Sequence, residues 1–155
     1  MRTFSMLFDE VQEDSVIYNG RKIMCIDKLS VEKNFIAEIE LISTNSKWRQ
    51  GISFFTEGSI DVGKGIVGSE HIFWEELWTE LNMGPIRIEG QSENGIFMIW
   101  NSWDWAGCIE SWTMNGAMIK EVVNENEFIY YCNDREVDDD FDDIVFKIKF
   151  LVGLK

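Results

Sequence analysis

The sequence predicts an α+β domain, a mostly antiparallel β-sheet meander with one principal amphipathic helix, at about residues 69–82, packed on it. Three observations lead there. Short alternating apolar segments are punctuated by Asn-Gly pairs, the turn signal of β-hairpins. One stretch, after Ser69, changes to helical spacing. No repeat and no Pro, Gly or Ser linker interrupts the chain, and its only proline is Pro85, so residues 1–155 read as a single domain.

The first hairpin is expected from Val16–Tyr18 and Lys22–Ile26. Between them, Asn19-Gly20 supplies the positive φ of a two-residue type I′ turn. Asn34–Ser43 alternates, placing Phe35, Ala37, Ile39 and Leu41 on one strand face and Glu38 and Glu40 on the other. Ile52–Phe55 is a further strand, followed by a loop rich in glycine at 58, 63, 65 and 68. Ser69 is placed to cap a helix with Glu70 in its first turn and Phe73, Trp74, Leu77, Trp78 and Leu81 along one face. Gly84 and Pro85 would stop it. Ile86–Glu89 and Ile96–Trp100 then form a second hairpin across a Gly90–Gly95 turn. A third has Ile109–Met114 and Ala117–Val123 around Asn115-Gly116. Phe128–Cys132 continues the meander, and Ile144–Leu151 reads as a last strand or a short helix.

Hydrophobic residues make up 45% of the chain, with 11 Phe and 7 Trp, enough to bury a core without disulfides or metals. Cys25, Cys108 and Cys132 are odd in number and lie in apolar segments, as reduced, buried thiols would. Met1–Phe8 is too short for a signal-peptide core, and no run reaches the ~18 to 20 apolar residues of a membrane span. A cytoplasmic location is the expectation.

Net charge is −14, unevenly spread. Residues 1–64 carry 10 acids and 8 bases; Gly65–Ile119 carry 8 acids and only Arg87; Asp134–Asp143 carry 7 acids and only Arg135. Such a field repels nucleic acid and anionic membranes and attracts basic proteins.

Six tryptophans, Trp74, Trp78, Trp100, Trp103, Trp105 and Trp112, fall inside the base-poor stretch. Trp74, Trp78, Trp100 and Trp112 sit on periodic faces and read as core. Trp103 and Trp105, among the turn formers Asn101, Ser102, Asp104 and Gly107, read equally as loop packing or as exposed anchors beside Asp104 and Glu110. The run Asp138, Asp139, Asp140, Asp142 and Asp143 has no glycine at the sharp turn of a calcium loop, and Lys149 stands at its twelfth position instead of glutamate. It is expected to be a solvated loop or a docking surface, without metal.

No cofactor motif is present. The lone His71 lacks a partner motif, Gly63-Lys64-Gly65 lacks the spacing of a phosphate loop, and with 28 acids a carboxylate pair carries no information. In overall character the chain resembles the small acidic immunity proteins of bacterial polymorphic and contact-dependent toxin systems. The resemblance lies in the segment Glu70–Trp78, the Trp-rich stretch after Ile99 and the Asp138–Asp143 run. It implies a non-enzymatic protein that neutralises a basic toxin domain. From the residues alone, the alternatives are a small-ligand or carbohydrate-binding domain that stacks sugars on tryptophan, and a carboxylate-based hydrolase.

Overall fold

The computed structural model describes residues 2–136 and 140–155. Thr3 caps the first helix, α1 (Phe4–Val11), by accepting the Met6 N–H, and Gln12, at φ 58°, closes it. The predicted hairpin follows as β1 (Ser15–Tyr18) and β2 (Arg21–Met24). Asn19 and Gly20 between them have φ of 50° and 78°, as a type I′ turn requires. The remaining elements are β3 (Asp27–Thr44), β4 (Arg49–Asp61), β5 (Val67–Trp74), α2 (Glu76–Thr79), β6 (Ile86–Trp105), β7 (Cys108–Glu110), β8 (Ala117–Asn124), β9 (Glu127–Asn133) and β10 (Ile144–Leu154).

All ten strands join one antiparallel sheet, in the order β1-β2-β8-β9-β10-β3-β6-β4-β5, with β7 paired to the end of β6. The register shows that this sheet folds over on itself. Tyr130 of β9 lies opposite Phe146 of β10, which lies opposite Leu41 of β3. Asp27, at the start of β3, is fourteen residues from Leu41, roughly 46 Å along a straight strand at ~3.3 Å per residue. Nevertheless the Tyr130 hydroxyl donates to Asp27 Oδ2 at 2.6 Å, and Lys120 of β8 pairs with the same oxygen at 2.8 Å. β3 therefore doubles back, and its ladders with β6 and β10 break register to allow it. The core fills the resulting fold, with Phe35, Phe97 and Phe150 in mutual contact, Phe54 against Phe97 and Phe73, and Tyr130 on Phe146. Gly90 is dictated by this packing, because a Cβ there would lie 2.1 Å from the Phe35 ring. A smaller cluster, Phe4, Phe8, Ile23, Ala117 and Phe141, fastens α1 to the first hairpin.

The principal helix is not present, and the fold is mainly β, with 64% of residues in strands and 8% helical. Residues 69–74 belong to β5, and only Glu76–Thr79 turn helically. The segment satisfies both periods, but β4 offers it a long ladder from Gly51–Trp74 to Asp61–Val67, and tertiary pairing overrides the local spacing. The expected hairpin between 86 and 100 is one continuous strand of 20 residues, its Gly90–Gly95 segment an internal bulge where Asn94 accepts the Ile96 N–H. The third hairpin is also absent. Residues 108–110 pair with β6, and β8 pairs with β2 and β9. Gly58 and Gly68 lie within strands, and 144–154 is a strand.

Candidate functional site

The residues singled out from sequence are largely engaged internally. Trp103 is fully buried within β6, and its indole N–H donates to Glu110 at 2.9 Å. The Arg135 Nε reaches the same Glu110 oxygen at 3.3 Å while its guanidinium lies 3.9 Å from the centre of the Trp105 ring. Trp105, half-buried, meets the edge of Trp48, whose indole N–H donates to Glu136. That bond, with Lys47 beside it, holds the Glu136 carboxyl below its usual range. Asp104 accepts the Gly107 N–H and so fixes the β6–β7 turn.

The acidic run divides. Asp134 is buried, accepting from Ser46, from the Gln50 amide at 3.0 Å and from the Glu136 N–H. Asp143 is buried too and accepts the Asp134 N–H, contrary to the expectation of a solvated loop. Asp142 accepts from Asn45, and Asp140 is exposed. Asp138 and Asp139 lie outside the described residues. This network ties the β3–β4 connection to the β9–β10 connection. The carboxylates position backbone and leave few lone pairs for a partner.

Register assembles a different surface. Residues opposite one another in a ladder share a face. On the outer face of β5-β4-β6, Glu70, Phe55 and Met98 form one row; Ile72, Ser53 and Trp100 the next; Trp74, Gly51 and Ser102 a third; and Arg49, Asp104 and Ile109 of β7 a fourth. Gly51 has no side chain because Trp74 and Ile72 lie across it, 2.9 Å from where a Cβ would be. Ser53, Ser102 and Ser111 link hydroxyls at 2.6 and 2.7 Å, and Ser111 also accepts from the Trp100 indole. Trp112 stacks obliquely on Trp100, with ring centres 5.1 Å apart.

The outside of the sheet thus carries an aromatic layer of its own, in which Trp112 and Ser111 cover Trp100 and Ser102, and Trp100, Ser53 and Ser102 are buried. Trp112 is 46% exposed and Ile109 59%. The loop beyond β7 holds Trp112 and Met114 at φ of 61° and 50°, left-handed conformations that side chains of this size adopt at a cost of about 1 kcal/mol or more each. Next to it, Met114 accepts the Ser5 N–H of α1. The cations of the face are held by neighbours. Arg49 lies over Trp74 and pairs with Glu76, and Lys28, opposite Met98, pairs with Asp14. Exposed Glu70 forms no ion pair among the described residues.

No protein family, curated protein or solved structure matches this chain.

Among the described residues no three His, Cys, Asp or Glu side chains converge as a metal site, and no helix is long and apolar enough to cross a membrane. His71 faces inward from β5, where its Nε2 meets the Ile60 and Gly68 carbonyls. The cysteines are all free, but Cys108 is exposed, against the expectation that all three are buried. Sequence reasoning assigned Trp112 to the core and passed over Ile109 and Met114. The available signal was Glu110, which shares the alternate face of Trp112 and Met114 and puts a carboxylate where a buried strand would keep that face apolar.

Proposed function

We propose that this is a non-enzymatic binding protein that captures a basic protein partner on the outer face of β4–β7, with a toxin domain as the partner class its resemblance implies. The observation that carries the reading is the exposed pair Trp112, 46% exposed, and Ile109, 59%, beside half-buried Trp74 on the outer face of a chain of net charge −14. Exposed aromatic patches on a sheet are costly to hydrate and mark contact surfaces. Charge of one sign speeds encounter with a basic partner, and buried tryptophan then sets the residence time. The binding role passes from Trp103 and Asp104 to Trp112, Trp74 and Ile109, because Trp103 is buried and Asp104, though on the outer face, is tied to the Gly107 N–H.

Stacking of a sugar has less support. One face of Trp105 is occupied by Arg135, and Lys47 lies over Trp48. The concavities beside Gly90, of 390 Å³, and beside Gly95, of 500 Å³, contain no tryptophan.

The test begins from the gene neighbourhood. The adjacent open reading frame is expected to encode a basic domain that binds this protein, with an association rate that falls steeply with salt. Trp112→Ala should weaken binding by about 2 kcal/mol, roughly thirtyfold, mainly through faster dissociation. Equal affinity for wild type, Trp112→Ala and Trp74→Ala, or a neighbour that is not basic, would overturn the reading.

A further inference from the structure

The docking face is bordered by β5, which ends the sheet on that side; among the described residues no strand pairs with its outer edge. The opposite end of the sheet, β1, is only 4 residues long, whereas β5 has 8. Edge strands are ordinarily blunted by lysine, proline, bulges or shortness. β5 has none of these. Val67–Trp74 contains no Lys, Arg or Pro, and the register shift in its ladder is absorbed by β4, at Gly58 with φ 142°. From Gly65 to Ile86 there is no Lys or Arg, and four carboxylates, Glu70, Glu75, Glu76 and Glu80, lie on or just beyond β5. Burial raises the pKa of Glu75 while its carboxylate accepts the Gln50 N–H, and Glu76 is tied to Arg49, which leaves Glu70 and Glu80 exposed and without an ion pair among the described residues.

We propose that the basic partner docks by adding an extended, lysine- or arginine-rich segment as an additional strand along β5. The inference rests on the binding role proposed for the outer face, and names how the partner engages it. Main-chain hydrogen bonds to the free edge supply affinity that is indifferent to side chains, and alternate side chains of the incoming segment fall on the outer face beside Glu70, Ile72 and Trp74. Basic residues at those positions meet Glu70, and apolar ones continue the aromatic layer. A second copy of this chain is the poorer occupant, since edge-to-edge pairing would bring together two molecules of charge −14 with no lysine or arginine on either strand.

The probe is a capped peptide of ten residues alternating lysine with valine, compared with the same peptide N-methylated at every second backbone amide, which keeps charge and removes donors. Titrations are followed by amide chemical shifts and hydrogen exchange. The unmethylated peptide is expected to slow exchange of outward-facing β5 amides, with methylation raising Kd at least about tenfold, as loss of several hydrogen bonds predicts. Glu70→Lys, at an exposed position, should weaken binding comparably while leaving the spectrum folded. Strand addition is overturned by equal binding of the two peptides, by shifts confined to other elements, by absence of binding, or by a β5-paired dimer in light scattering. The two readings separate through Trp112→Ala. If β5 amides are protected but affinity ignores Trp112 and Trp74, strand addition stands and the face does not. If affinity depends on the tryptophans but not on peptide amides, the face stands alone.

Discussion

Gly90→Ala should be among the most damaging single-methyl additions to this protein. The new Cβ would lie 2.1, 2.4 and 2.6 Å from three carbons of the Phe35 ring, where van der Waals contact needs about 3.5 Å or more. Phe35 is held among other rings. It is 1% exposed, with Phe97 at 5.3 Å and Phe150 at 6.2 Å between ring centres, and Gly90 itself is clamped by ladders to Phe35 and Ile60. Overpacking of a close-packed core costs typically 1–3 kcal/mol, and a clash with three ring carbons at once belongs at the top of that range, about 3 kcal/mol. For a chain of this size that is roughly 6–12 °C in Tm. Urea unfolding of Gly90→Ala should show the lower midpoint at unchanged m. The decisive arm is a double-mutant cycle with Phe35→Leu, whose smaller side chain makes room for the methyl. The pair should be at least ~1 kcal/mol less destabilised than the sum of the singles. Strict additivity, or a single-mutant cost below ~0.5 kcal/mol, would show that Gly90 is not set by the ring.

The carboxylate of Asp134 should prove structural. Asp134→Ala strands a buried Gln50 amide and the Ser46 hydroxyl, and is expected to cost about 2–4 kcal/mol by urea unfolding, whereas Asp140→Ala should be neutral within ~0.5 kcal/mol. Thiol titration should rank the cysteines, with exposed Cys108 reacting first, Cys25 slowly and Cys132 only on unfolding; reductant should leave Tm unchanged because all three are free. Stability should fall on the alkaline side. Burial, aided by Asp14, pushes the Cys25 thiol from 9.0 up to about 11, and burial raises Cys132 and Tyr130 as well. The unfolded chain therefore releases these protons first, so their contribution is intact below about pH 9 and declines from there through pH 11. A urea midpoint that is flat between pH 8 and 10.5 would contradict this.

What was legible in the sequence was local. Asn19-Gly20 announced its hairpin because the turn requires positive φ at both positions, and the alternation of Phe35, Ala37 and Ile39 gave the buried face of β3. Glycine misled where its cause was distant. Gly90 read as a turn because its reason, the Phe35 ring, is 55 residues away in sequence and becomes a neighbour only in the ladder. Ser69–Trp78 carries apolar residues at spacings compatible with either period, and the presence of β4 decided between them. The candidate site was misplaced for a related reason. Asp104, Glu110 and Asp134 looked unpaired because basic residues are scarce nearby, but their partners are backbone and indole N–H groups, an amide, a hydroxyl and, for Glu110, an arginine 25 residues away in sequence, which composition does not reveal. Trp112 is exposed because β7 ends after 3 residues and a left-handed loop carries the ring back over Trp100.

The central strand imposes an order of events on the nascent chain. β3 emerges from the ribosome well before either neighbour, β6 or β10, and β10 is the last strand of the sheet. Until then its 18 residues present two unsatisfied edges and an apolar face, and every stabilising pairing must close a long loop. Folding of this sheet should therefore be slow and wait for β10 to emerge, with the half-made sheet a natural client for chaperones. Deletion of β10 should leave an insoluble product, and the yield of native protein on expression should respond to growth temperature and chaperone supply more than to modest changes in final stability.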